Sequence, residues 1–246
     1  MKKRSMLISL ATFLMAFMPA VSAGAAPVAR WDFNETTATH LDTSGNNLTA
    51  NSGNEVQNGI ATPQSGNTPA SRGIRTVYVS DIMTALRPGR LTRVPVSNPN
   101  SNKLNPKTGN FSITLRFKNT QSYGNVLQKG QSATVGGYYK WEMPSGRLTC
   151  LFRDANKVDL VVKSSSTTSL KGAWHTVTCS IARGTNGTAR AQMIVDGVVA
   201  QTTAYKTFGS ISNNIDLTMM GKGNCNQTTT TCDYFAGDFD YLYIDN

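Results

Sequence analysis

The chain is short of acid. Its 246 residues hold 24 lysines and arginines against 14 aspartates and glutamates, and only Glu35, Glu55 and Glu142 are glutamates. Those three stand far apart. A retaining glycanase needs two carboxyl groups about 5–5.5 Å apart, which on a strand means acids two residues apart. The tight acidic group is Asp238 with Asp240, preceded by Asp233; it is all aspartate and lies at the C-terminal end. The general acid and base of a hydrolase therefore have no evident members, and no catalytic residue is assigned.

Histidine is scarcer still, with His40 and His175 alone. A lyase built on Tyr and His would have to use His175 and Tyr139, but a packed, hydrogen-bonded histidine is the commoner state of such a residue. The four cysteines contain no C-x-x-C pair, so the usual zinc spacing is missing. Long apolar runs are missing too. The longest, Met6–Met18, covers 13 residues, whereas a membrane helix needs about 20. It follows Lys2, Lys3 and Arg4 and precedes small residues, the pattern of a cleaved signal peptide over residues 1–26, with cleavage after Ala23 or Ala26. The expectation is a secreted protein with no membrane span, its domain covering residues 27–246.

Removing Lys2, Lys3 and Arg4 lowers the net charge from +10 to +7. In an exported chain four cysteines read as two disulfides. Cys225 and Cys232 bracket a short Asn/Thr loop, which leaves Cys150 with Cys179, each inside a strand-like run.

What is present is β-strand pattern. Phe111, Ile113, Leu115 and Phe117 alternate with Ser112, Thr114, Arg116 and Lys118, the signature of a half-buried strand. The same period runs through 148–152, 158–162, 174–181, 191–195, 198–201 and 239–244, with a further strand over 74–79. Asp196-Gly197 between two apolar runs predicts a hairpin with a type I′ turn. In the last strand the alternation sends Asp240, Leu242 and Ile244 inward and Tyr241 and Tyr243 outward. No segment keeps a helical period. Many short strands separated by Gly- and Asn-rich breaks imply an all-β sandwich or barrel.

Laid out in order, several segments are similar to one family. Trp31-Asp32-Phe33-Asn34 with Asp42-Thr43-Ser44-Gly45-Asn46-Asn47 resembles the opening of bacterial laminin G-like domains. Asn110-Phe111-Ser112-Ile113, Val126–Gly130, Trp174-His175-Thr176-Val177, Ile194-Val195-Asp196-Gly197 and Gly237–Leu242 resemble its later landmarks. Together with Gly136–Lys140, the set resembles small exported actinobacterial laminin G-like proteins of the concanavalin A-like lectin/glucanase superfamily. The resemblance implies an antiparallel two-sheet jelly-roll sandwich. It leaves activity open, because such sandwiches carry lectins, glycanases, lyases and adhesion modules.

Three candidate sites follow. The resemblance implies one structural calcium ion at a rim, with Asp42, Asp240 and Asn34 as its candidate ligands; calcium takes 6–8 oxygens. The alternative for Asp42 is a turn cap through an Asx-type hydrogen bond. The strand Tyr138-Tyr139-Lys140-Trp141 puts an aromatic beside a cation on one face, which suits a sugar or anionic glycan, while the other face packs inward. Between residues 72 and 107, Arg72, Arg75, Arg87, Arg90, Arg93, Lys103 and Lys107 face only Asp81 in charge. That stretch suits an acidic or phosphate-rich wall polymer or a solvated loop; nucleic acid is disfavoured by the absence of interleaved aromatics beyond Tyr78. The leading expectation is a non-enzymatic module binding polysaccharide or another cell-wall or extracellular component. The alternatives are a diverged lyase or hydrolase of the same fold, and a structural or protein-binding module.

Overall fold

The computed structural model describes residues 27–62, 71–78, 87–165, 170–223 and 232–246. The signal-like segment, Asp81 and Cys225 lie outside them. In chain order the strands are β1 (Ala29–Trp31), β2 (Thr39–His40), β3 (Ala50–Ser52), β4 (Gln57–Thr62), β5 (Ser71–Thr76) and β6 (Thr92–Val94). There follow β7 (Phe111–Asn119), β8 (Asn125–Lys129), β9 (Tyr138–Glu142), β10 (Thr149–Arg153), β11 (Asp159–Lys163) and β12 (Trp174–Arg183). The last are β13 (Thr188–Val195), β14 (Val198–Thr202), β15 (Lys206–Thr207), β16 (Leu217–Met219) and β17 (Gly237–Asp245).

They form two antiparallel sheets stacked as a sandwich. A nine-stranded sheet runs β14-β13-β12-β7-β17-β5-β4, with β1 also on β17 and β15 also on β13. An eight-stranded sheet runs β11-β10-β9-β8-β16-β6-β3-β2. Alternation left a sandwich or a barrel open; the two-sheet sandwich that the resemblance implies is the observed fold.

The alternating residues make the core. Phe111, Ile113, Leu115 and Phe117 of β7 and Val177, Cys179 and Ile181 of β12 are buried against Tyr139, Trp141, Cys150 and Phe152 of the facing sheet. Cys150 and Cys179 form a disulfide with Cα atoms 6.4 Å apart, joining β10 of one sheet to β12 of the other. Cys232 is buried and disulfide-bonded as well; the pairing expected for it involves Cys225, beyond the described residues. Asp196 and Gly197 take φ of 50° and 82° between β13 and β14, as a type I′ turn requires.

Two local expectations change. β5 covers Ser71–Thr76, so Val77 and Tyr78 follow the strand rather than belonging to it. In β17 the register against β7 shifts between Phe239 and Tyr241. Asp240 is the extra residue of a bulge, so it turns outward to Arg116, while Phe239, Leu242 and Ile244 remain in the core. A bulge opposes two residues to one and breaks the period of two, which is why plain alternation sent Asp240 inward. Tyr241 and Tyr243 stack 4.6 Å apart at 11° on the outer face.

Candidate functional site: a cleft on the eight-stranded sheet

Strand register places one row of side chains across the outer face of the eight-stranded sheet. Asn51 of β3 pairs with Arg93 of β6, Arg93 with Thr218 of β16, Thr218 with Gln128 of β8, and Gln128 with Lys140 of β9. With strands about 4.8 Å apart, Arg93 and Lys140 stand about 14 Å apart along this row. Each was singled out in the sequence from a different stretch, and the fold brings them to one face.

A cleft of about 730 Å³ opens over the row. Arg93, Thr218 and Gln128 form its floor, Gly130–Val135 one wall and Asn214–Asp216 another. The rim is apolar, with Val135 91% and Ile215 43% exposed. Gly136 and Gly137 steer the first wall. Both have positive φ, and a Cβ at Gly136 would sit 1.9 Å from the Ser212 carbonyl oxygen, a position only glycine tolerates.

The second wall is anchored from within by Lys129. Its Nζ donates to the carbonyl oxygens of Asn213 (3.2 Å) and Ile215 (2.6 Å) and to Asn213 Oδ1 (3.2 Å). Burial pushes this amine down to about 8, with Asp216 pulling the other way. Asn213 Nδ2 returns bonds to the Lys129 and Gly137 carbonyls, tying the two walls together.

The charges of the cleft are unevenly held. Lys140 Nζ is bound to Glu142 Oε2 at 2.6 Å. Asp216 accepts the Val96 N–H at 2.8 Å through Oδ1, and its Oδ2 is 3.8 Å from Arg93 Nη1. Glu142 and Asp233 line a separate, smaller pocket, and each is ion-paired to a lysine, Lys140 and Lys222. Asp238 is gripped by Arg75 and Asp240 by Arg116. Each of these described carboxylates is thus held by a cation or an N–H.

The other expected site residues fall elsewhere. Tyr139 and Trp141 are fully buried, and the Tyr139 hydroxyl donates to the Leu104 carbonyl at 3.1 Å. Neither can meet a sugar. Tyr138 is 3% exposed, under the Arg153 guanidinium, so the aromatic face expected on this strand is covered and Lys140 alone remains accessible. Arg87 and Arg90 both turn to Glu55, and Arg90 is buried while donating to the Val77 carbonyl at 2.6 Å. Of the three arginines proposed from the basic stretch, only Arg93 reaches the cleft.

The calcium candidates do not form a cation cage. Asp42 accepts N–H bonds from Arg30 (2.9 Å), Ser44 (2.9 Å) and Leu48 (3.0 Å). Burial pushes its carboxyl up, but these bonds outweigh it and hold the group below the ordinary range. Asn34 Oδ1 accepts the Arg72 N–H, and Asp240 is met by Arg116, Thr62 and Ser71. Oxygens surrounded by donors and a guanidinium do not fit an ion that demands 6–8 oxygen ligands. Among the described residues no group of three or more His, Cys, Asp or Glu is placed to hold a metal.

His175 bonds Asp196 Oδ2 through Nδ1 at 2.7 Å on the other sheet, away from Tyr139. His40 makes a triad-like chain, Nδ1 to Glu35 at 3.2 Å and Nε2 to Ser52 Oγ at 2.8 Å. Ser52 shares the inward face of Ala50, however, and its hydroxyl is bonded to buried Thr92. A nucleophile facing the core serves packing.

Gln128, Thr218, Asp216 and Lys129 were missed by the sequence reading. All of β8 is buried, so no alternation marks Gln128 as facing a cleft.

The fold and site define a two-sheet β-sandwich with an open cleft, polar at its floor and apolar at its rim, on one sheet. No protein-family model matches the chain, and no curated protein matches it by sequence. Solved structures match by shape. The binding domain of Paraclostridial Mosquitocidal Protein 1 superposes with a TM-score of 0.61 at 14% identity, covering 89% of this chain and 48% of that one. A botulinum neurotoxin serotype D ligand-binding domain in complex with N-acetylneuraminic acid gives 0.59 at 13%, covering 89% and 47%. The botulinum neurotoxin type G receptor-binding domain gives 0.57 at 13%, covering 90% and 48%. The chain thus spans about half the length of these structures, and at such identity the likeness establishes the fold alone.

Proposed function

We propose that this chain is a secreted, non-enzymatic, laminin G-like module that binds carbohydrate of a cell wall or extracellular matrix in the cleft of the eight-stranded sheet. The observation that carries the reading is the cleft floor, where Arg93, Thr218 and Gln128 offer donors across three adjacent strands while every nearby carboxylate is held by a cation or an N–H. Sugars are recognised by such placed polar groups in a concave site. A serotype D neurotoxin domain of similar fold was solved with a sugar acid bound, which agrees with this use of the scaffold.

The test is incubation of the purified protein with a panel of neutral and anionic polysaccharides, following pull-down, reducing ends and unsaturated products together. Retention without product formation is the expected result. Product that persists through repeated purification and is lost on Glu142→Gln or His175→Ala would instead favour the hydrolase or lyase alternative.

A further inference from the structure

Resting on the glycan reading of the cleft, we infer that its ligand carries a carboxylate, as a uronate- or sialate-type sugar does, and that Arg93 with Gln128 and Thr218 receives that group. The Arg93 guanidinium is loosely used. Its Nη2 lies 3.5 Å from the Gly223 carbonyl oxygen, its Nη1 3.8 Å from Asp216 Oδ2, and its Nε is buried with no acceptor. Two other arginines are matched more closely. Arg75 and Arg153 each make two-pronged bonds of 2.5–2.9 Å to Asp238 and Asp159. Leaving a buried guanidinium N–H unbonded is costly; Arg90 Nε shares that state but is shut inside the protein, whereas Arg93 lines the cleft, where a ligand can reach its guanidinium.

Its neighbours converge on the same point. A Cβ placed on Gly223 would meet Thr218 Oγ1 at 3.0 Å and Gln128 Nε2 at 3.7 Å, and Arg93 reaches the carbonyl of that same glycine. The Gln128 side-chain oxygen accepts from Asn125 Nδ2 at 3.4 Å, which leaves its NH2 for the cleft. A planar carboxylate matches the fork of an arginine, and such charge-assisted pairs are among the stronger hydrogen bonds. Asp216 Oδ2 marks where an acidic oxygen already approaches, held too far off to bond. Lys140 contributes little, being tied to Glu142.

The experiment is calorimetric titration of the full chain with a uronic-acid oligosaccharide, its carboxyl-reduced neutral form, and a sulfated oligosaccharide of equal length. The acid form is expected to bind best. Arg93→Gln should weaken it roughly 10- to 100-fold, the share of a hydrogen-bonded charge pair, and leave the reduced form unchanged. Asp216→Asn keeps the acceptor for Val96 and removes the competing charge, so it should tighten the acid form several-fold; this variant serves even if Arg93→Gln folds poorly. Lys206→Gln, on the other sheet, is the control for overall charge. Equal affinity for acid and reduced forms, a preference for sulfate, or equal losses in Arg93→Gln and Lys206→Gln would overturn the carboxylate assignment and leave the glycan reading standing. Failure to bind any saccharide would overturn both.

Discussion

Arg116 and Asp240 meet on the outer face of the nine-stranded sheet with side chains only 8% and 7% exposed. Thr62 and Ser71 hydroxyls donate to the same carboxylate at 2.8 and 2.9 Å, and the guanidinium lies 4.6 Å from the Trp174 ring centre. Removing one member of a buried pair strands the other charge, which costs about 3–5 kcal/mol. Arg116→Met should therefore lose that much stability in urea denaturation. Asp240→Asn keeps an acceptor for the two hydroxyls and should lose less. A loss below about 1 kcal/mol for Arg116→Met would mean that water already shares the pair. Nothing in the sequence joins these residues, because Thr62, Ser71, Arg116 and Asp240 come from four strands. The sequence did mark Asp240 as unusual, but as a calcium candidate; its role follows from a bulge that no residue pattern announces.

At the level of elements, the Cys150–Cys179 bridge fastens β10 to β12 across the two sheets. It closes a loop with a sequence separation of 29, which on the loop-entropy account contributes about 3.6 kcal/mol. The double variant Cys150→Ser with Cys179→Ser should lower stability by about that amount while the circular dichroism of the folded sandwich persists at low temperature. The check is denaturant midpoint against native protein, and an unchanged midpoint would show that core packing alone sets the stability. This element was legible because both cysteines sit at inward positions of alternating runs, where period and pairing agree. β8 was the opposite case. Its five residues are all buried, including Gln128 and Lys129, so neither apolar run nor alternation described it. The strand is polar because one face makes the cleft floor and the end of the other anchors a wall.

For the molecule as a whole, the sheets could be anticipated from period, but the cleft could not. Its floor and walls come from β6, β8, the loop before β9 and the segment entering β16, joined only once the chain has folded. Lys129 is the link between them, carrying its charge into the interior to hold carbonyls 84 and 86 residues away. Burial lowers its folded-state pKa to about 8 from the ordinary lysine value of 10.5. Above 10.5 both states are neutral, and below 8 both are charged. Between these limits the unfolded chain binds the proton more tightly, so stability should rise as pH climbs from 8 to 10.5. Lys129→Met should abolish this group's rise in a melting series across that range. It should also weaken glycan binding while Arg93, Gln128 and Thr218 stay in place, because the Asn213–Asp216 wall loses its anchor. Binding left intact in Lys129→Met would show that the wall holds its shape through Asn105 and Asn213 alone, whose amides already bond the chain at 3.1 and 2.8 Å.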